Sequence, residues 1–220
     1  MTAPSEPTTP RTVRRIGSPA AAALGDLAAI FDDLQTTLAC CERALAELAR
    51  PEPEAVVVES LWTTALLSYT RCFAPGGRGM GLTEDDVTAT ELSGDVLPWH
   101  RMLRQLRKHY ADPATNPRET FSVGVAVADG TPAGVAITST RQDLPDEQTI
   151  RQTGIIAMAL YRRVDERITE HQATVLEGAR ALSPTELETL DEVELTGVDG
   201  VGAPGTAASG NGNGDGEGSR

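Results

Sequence analysis

The sequence predicts a mainly α-helical fold: a four-helix bundle with a β-hairpin inserted between the third and fourth helices, and disordered termini. Three observations predict it. Apolar residues recur at helical spacing over four long segments. The period switches to two once, around residues 120–140, on either side of a turn signal. Both ends lose the large hydrophobes: residues 1–19 are rich in Pro, Thr and Ser, and nine of the 24 residues from Gly197 onward are glycine. Such ends cannot offset the entropy of ordering. The helical domain is therefore expected at 20–193, with a disordered segment at 1–19 and a glycine-rich acidic tail at 194–220.

The first helix shows the clearest pattern. Leu24, Leu27, Phe31, Leu34, Leu38, Cys41, Leu45 and Leu48 alternate three and four apart, a narrow seam of the kind found in bundles and coiled coils. Arg50-Pro51-Glu52-Pro53 stops it. The seam serves either an intramolecular bundle or self-assembly of a structural protein with a glycine spacer. A second helix is expected from about Glu54 to Ala74, with Val58, Trp62, Ala65, Tyr69 and Phe73 facing inward. Pro75 and the glycines at 76, 77, 79 and 81 end it. That glycine-rich piece lacks the Gly-Lys-Ser/Thr ending of a phosphate loop and follows no strand, so it reads as a connector. Thr83-Glu84-Asp85-Asp86 can cap a short turn.

Pro98 suits the start of a third helix, whose stripe is Trp99, Leu103, Leu106 and Tyr110. Asp112-Pro113 ends it. Phe121, Val123, Val125 and Val127 then alternate with smaller residues, Asp129-Gly130-Thr131-Pro132 supplies a turn, and Val135 and Ile137 continue the alternation. Two strands alone are marginal in water, so the apolar face of this hairpin should lie on the helices. The longest helix starts near Pro145-Asp146-Glu147, with its acids favourably placed against the helix dipole. Its inner face runs through Ile150, Ala157, Leu160, Val164, Ile168, Val175 and Ala179. Ser183-Pro184-Thr185-Glu186 can cap one more short helix.

Composition narrows the function classes. The net charge is −13, but eight acids and one arginine lie between Ser183 and Arg220, a net −7, so the other 182 residues carry −6. An acidic chain is a poor prior for a dedicated nucleic-acid binder. Eighteen of the 19 basic residues are arginine, as coding bias in a GC-rich genome produces. Cys40, Cys41 and Cys72 form no disulfide framework and have no metal-ligand spacing; buried reduced thiols suit a cytoplasmic protein. No stretch reaches the roughly 18 apolar residues a membrane span needs, and the charged N-terminal region has no adequate apolar core for a signal peptide. No membrane, metal or cofactor partner is expected.

One segment carries chemistry. His100, Arg101, Arg104, Arg107, Lys108, His109 and Arg118 form a basic block that holds two of the three histidines. At about 100° per residue, His100, Arg104 and Arg107 share a face beside the apolar stripe. Arginine forks suit phosphate oxygens and histidine moves protons near neutral pH, so His100, Arg101, Arg107 and Lys108 are candidate anion-binding residues. The plainer alternative is a solvated basic face paired with Glu119, Asp143 or Glu147. Arg71 and Arg78 could extend the basic surface. His171 reads as surface, and Trp62 and Trp99 as core.

Arg104-Gln-Leu-Arg-Lys-His109 resembles the Arg-x4–6-His pattern of HEPN domains, helical bundles that are often dimeric and occur among RNA-cutting toxins and phage-defence proteins. The longer stretch from His100 to Asn116 is similar to HEPN-like bundles in a second register, in which Arg107 is the motif arginine and Asp112 stands where a histidine is expected. In the first register the resemblance implies a metal-independent RNase, with Arg104 holding a phosphate and His109 acting as acid/base. In the second it implies a degenerate site, hence an interaction or regulatory module acting through a protein partner or a homo-oligomer. Arg104 and His109 lie about 140° apart on a helix, so they converge only if the helix ends or bends near His109, or if a second subunit completes the site.

Overall fold

The computed structural model describes residues 12–73, 78–114 and 116–193. The glycine-rich tail at 194–220, most of the N-terminal segment and the start of the glycine connector lie outside the described residues. The described chain is mainly helical. Two compact units divide it, one comprising residues 18–175 and the other 12–17 with 176–193.

The larger unit is built on α1 (Pro19–Leu48), α2 (Ala55–Arg71), the short α3 (Glu84–Thr88), α4 (Val96–Ala111) and most of α5 (Glu147–Arg180). Ser18 caps α1, its hydroxyl accepting the Ala21 N–H at 3.1 Å, with Pro19 in the first turn. α1 packs on α2, α2 on α4, and α3 on α4. A single core cluster joins residues from all five helices.

Two rows of α1 enter that core completely. One is Leu27, Leu34 and Cys41; the other is Ile30, Thr37 and Ala44. Phe31, Leu38 and Leu45 are only partly covered, and Phe31 stacks on Tyr161 of α5 with ring centroids 4.2 Å apart. The seam of α1 is thus used largely inside the chain. Thr37 is tolerated within because its hydroxyl donates to the Asp33 carbonyl at 2.9 Å. Pro98 falls in the first turn of α4 rather than at its start, where its missing N–H again costs nothing.

Asp86 ties α3 to α5. One carboxylate oxygen accepts from the Thr83 backbone N–H at 2.8 Å and from its hydroxyl at 3.2 Å, closing a capping box, while the other pairs with Arg167. Arg163 adds a bond from its Nη1 to the Ala89 carbonyl at 3.0 Å. Asp86→Ala removes the cap and strips Arg167 of its partner. It should cost about 2 kcal/mol, read as a fall of roughly 4–8 °C in Tm.

The hairpin consists of β2 (Glu119–Ala128) and β3 (Thr131–Arg141), paired antiparallel with a bulge between Ala126 and Val127. Asp129 and Gly130 both take positive φ, 50° and 76°, as a two-residue turn that matches strand twist requires. The expectation that its apolar face lies on the helices is not met: every residue from Thr120 to Asp143 is exposed. The helices close their core with their own side chains, and the hairpin is held at its base, where Arg118 pairs with Glu59 of α2.

The smaller unit corrects two further expectations. Val13–Arg14 (β1) falls within the segment expected to be disordered, yet it pairs antiparallel with Glu192–Val193 (β4). Arg14 Nη1 donates to the Leu190 carbonyl at 2.9 Å, and the Arg15 N–H donates to the Asp191 carbonyl at 2.8 Å. The last turns of α5, expected to continue the core, contain no buried residue; Val175 and Ala179 are only half-covered. Between them and β4 lies α6 (Pro184–Thr189), opened by a capping box between Ser183 and Glu186.

Candidate functional site

α4 is the most amphipathic element of the fold and carries every candidate in the basic block except Arg118. Leu103 is fully buried, while Trp99, Met102, Leu106 and Tyr110 pack partly against the core. The remaining face is charged and exposed, with Arg101, Arg104, Arg107, Lys108 and His109 all on it.

His100 does not belong to that face. It is completely buried. Its Nδ1 shares a hydrogen bond of 2.9 Å with the hydroxyl of Tyr69, itself fully buried, and its ring centroid lies 4.3 Å from that of Phe73. Nε2 finds no hydrogen-bond partner among the described residues. Burial disfavours the imidazolium and the nearby Arg104 charge adds to this, against a smaller opposite pull from Glu84, so the His100 pKa falls to about 4. At neutral pH the ring is uncharged and out of reach of a solvent anion. A pure periodicity wheel places His100 at the core edge. Tyr69 and Phe73, on the inner stripe of α2, draw it inside by offering a polar partner and an aromatic wall.

Arg101 is committed to α3. Its Nε donates to Glu84 Oε1 at 3.1 Å and its Nη2 to Oε2 at 2.6 Å, a two-point pairing that holds the Glu84 carboxyl below its ordinary range. Glu147, an expected partner of the basic block, pairs with Arg151 within α5 instead. Arg104, Arg107 and Lys108 are spaced i, i+3 and i+4 and share one solvent-facing sector. They form a short cationic row.

Arg104 and His109 are not brought together within the chain. α4 runs unbroken past His109 to Ala111. The two side chains therefore leave the axis about 140° apart, and His109 faces instead toward Tyr110, ring centroids 6.5 Å apart. In the second register, Asp112 caps the end of α4, and its carboxylate accepts the Ala114 N–H at 2.9 Å. That is the work of a turn residue.

The other candidates are structural. Arg71 and Arg78 both reach the buried Asp33 carboxylate, at 3.2 and 3.1 Å. Asp26 accepts the N–H groups of Gly79 and Met80 at 2.8 and 3.0 Å. Two carboxylates of α1 thereby anchor the second half of the glycine connector. Local spacing does not reveal these contacts, because Arg78, Gly79 and Met80 lie 45, 53 and 54 residues from their carboxylates. His171 bonds through Nδ1 to the Arg167 carbonyl at 2.9 Å.

Burial lifts the Cys41 and Cys72 thiols to about 12, which removes them as nucleophiles. No cluster of His, Cys, Asp and Glu able to hold a metal occurs among the described residues. A cleft of about 610 Å³ lies between the start of α4 and α5, lined by Val96, Pro98, Trp99, Met102 and Ile155 among others. It contains none of the basic residues. No helix among the described residues is long and apolar enough to cross a membrane.

Neither a family model, a curated protein nor a solved structure matches this chain.

Proposed function

We propose that the protein is a cytoplasmic interaction or regulatory module, its α1, α2, α4 and α5 arranged as a four-helix bundle with a catalytically degenerate HEPN-like core. The carrying observation is the divergence of Arg104 and His109 on an uninterrupted α4, with His100 withdrawn into the core. General acid–base catalysis needs a proton donor or acceptor within hydrogen-bond reach of the reacting group and an anion site beside it. The exposed row of Arg104, Arg107 and Lys108 offers charge, while the neighbouring His109 leaves the helix about 140° from Arg104. Such a row suits electrostatic attachment to an acidic surface better than bond cleavage.

The rival reading is a metal-independent RNase of a toxin or phage-defence system, in which a second copy would have to bring its own His109 to Arg104. Incubation of the purified protein and its His109→Ala variant with mixed RNA in EDTA tests both. The expected result is no cleavage by either. Cleavage by the parent that the variant lacks would overturn the module reading and restore Arg104 and His109 as an active pair.

A further inference from the structure

The hairpin is the strongest unexplained feature of the molecule. β2 and β3 are ten and eleven residues long, about twice the usual strand, and among the described residues neither pairs with a third strand. Register places Val123 opposite Ile137 and Val125 opposite Val135, with Phe121 beyond and Val127 at the bulge. Directly paired residues project to the same side. One face is therefore a continuous apolar ridge, aliphatic except for Phe121, with exposures from 55% at Phe121 to 75% at Val135. The other face pairs Ser122 with Thr138, Gly124 with Ala136 and Ala126 with Gly134, and offers almost nothing to bury. An isolated two-stranded ribbon with one aliphatic face is marginal in water unless that face is covered.

We propose that the cover is the same face of a second copy, the two hairpins packing ridge to ridge about a two-fold axis. The size fits. Burying the ridge removes about 500 Å² from water per copy, or roughly 1,000 Å² in total, the threshold at which specific interfaces begin. The charge fits as well. No charged residue occurs from Thr120 to Ala128 or from Thr131 to Thr140, so the face has nothing with which to select a nucleic acid, an acidic protein or a lipid surface. A neutral aliphatic ridge is complementary to another neutral aliphatic ridge, and a symmetric contact presents one from each chain. Two such ribbons face to face make a four-stranded, two-layer unit with a shared interior. The site is distinct from the seam of α1, which the chain uses largely in its own core. The inference stands apart from the reading of α4, since a dimer through the hairpin neither requires nor forbids an active Arg104–His109 pair.

Light scattering on the full chain across the micromolar range tests it. Wild type should have twice the chain mass. The triple variant Val123→Thr, Val125→Thr and Ile137→Thr keeps β-branched residues in the strands while removing the ridge. It should dissociate at least roughly 100-fold more readily, with unchanged helical circular dichroism. Mild oxidation of a Val125→Cys variant should give a disulfide-linked pair that the parent, with its three native thiols, does not. A monomeric wild type overturns the proposal. So does a dimer that survives the triple substitution, or one lost on Ile155→Glu in the helical cleft instead.

Discussion

Lowering the pH from about 7 to about 4 should remove about 3 kcal/mol of stability through His100 alone. The ring is buried and neutral in the native state, with its pKa depressed to about 4. In the unfolded chain it titrates at its ordinary value of about 6.5. Between those values the unfolded state binds the extra proton, so stability rises with pH across that window and falls as the solution is acidified. The contribution is fully present above the unfolded value and exhausted below the native one. Urea unfolding at the two ends of the window measures it. The His100→Gln variant, whose amide does not titrate, should be less stable at neutral pH but should lose that part of the slope. If the variant retained the whole wild-type slope, the pH dependence would belong to the carboxylates and not to the Tyr69–His100 pair.

Leu34→Ala should be the most damaging single truncation, costing about 3–5 kcal/mol and lowering Tm by roughly 10 °C or more. Leu34 sits at mid-length in α1, is fully buried and belongs to the row that also holds Leu27 and Cys41. Truncation there opens a void that helices fixed by several other contacts cannot collapse to fill. Ile155→Ala is the matched control: its side chain is exposed, and the change should stay within about 0.5 kcal/mol. Equal losses at the two positions would mean that α1 is not oriented as described.

The contrast between those positions shows what periodicity can and cannot carry. The row Leu27–Leu34–Cys41 was legible because apolar side chains alone produce a repeat. The equally buried row Ile30–Thr37–Ala44 was not, because a threonine satisfied by its own helix reads as polar. His100 failed for the same reason, since its burial depends on Tyr69, thirty-one residues away. The hairpin is legible as two strands about a turn signal at Asp129–Pro132, because alternation and turn chemistry are local; its bulge is not. Its setting was not, since whether a face is covered depends on what remains unfilled elsewhere. The pairing of β1 with β4 involves two residues on each side and leaves no repeat to detect. Within α4 the charged face is legible except at His100, which is buried. The direction of each side chain depended on where the helix ends, two residues beyond His109.

The open ribbon also carries an aggregation hazard that the helices do not share. Each strand has one outer edge with unpaired backbone groups, the kind of template on which strands from other chains add. Charged side chains usually guard such edges, but along this ribbon none lies between Thr120 and Ala128 or between Thr131 and Thr140. The guards present are backbone devices. Both lie on β3: the register skips Ala133, so the bulge bends that strand, and Pro132 beside it removes a donor. Both sit near the tip, which leaves the middle of the ribbon dependent on whatever covers it. Partly unfolded protein should therefore stick through this ribbon first.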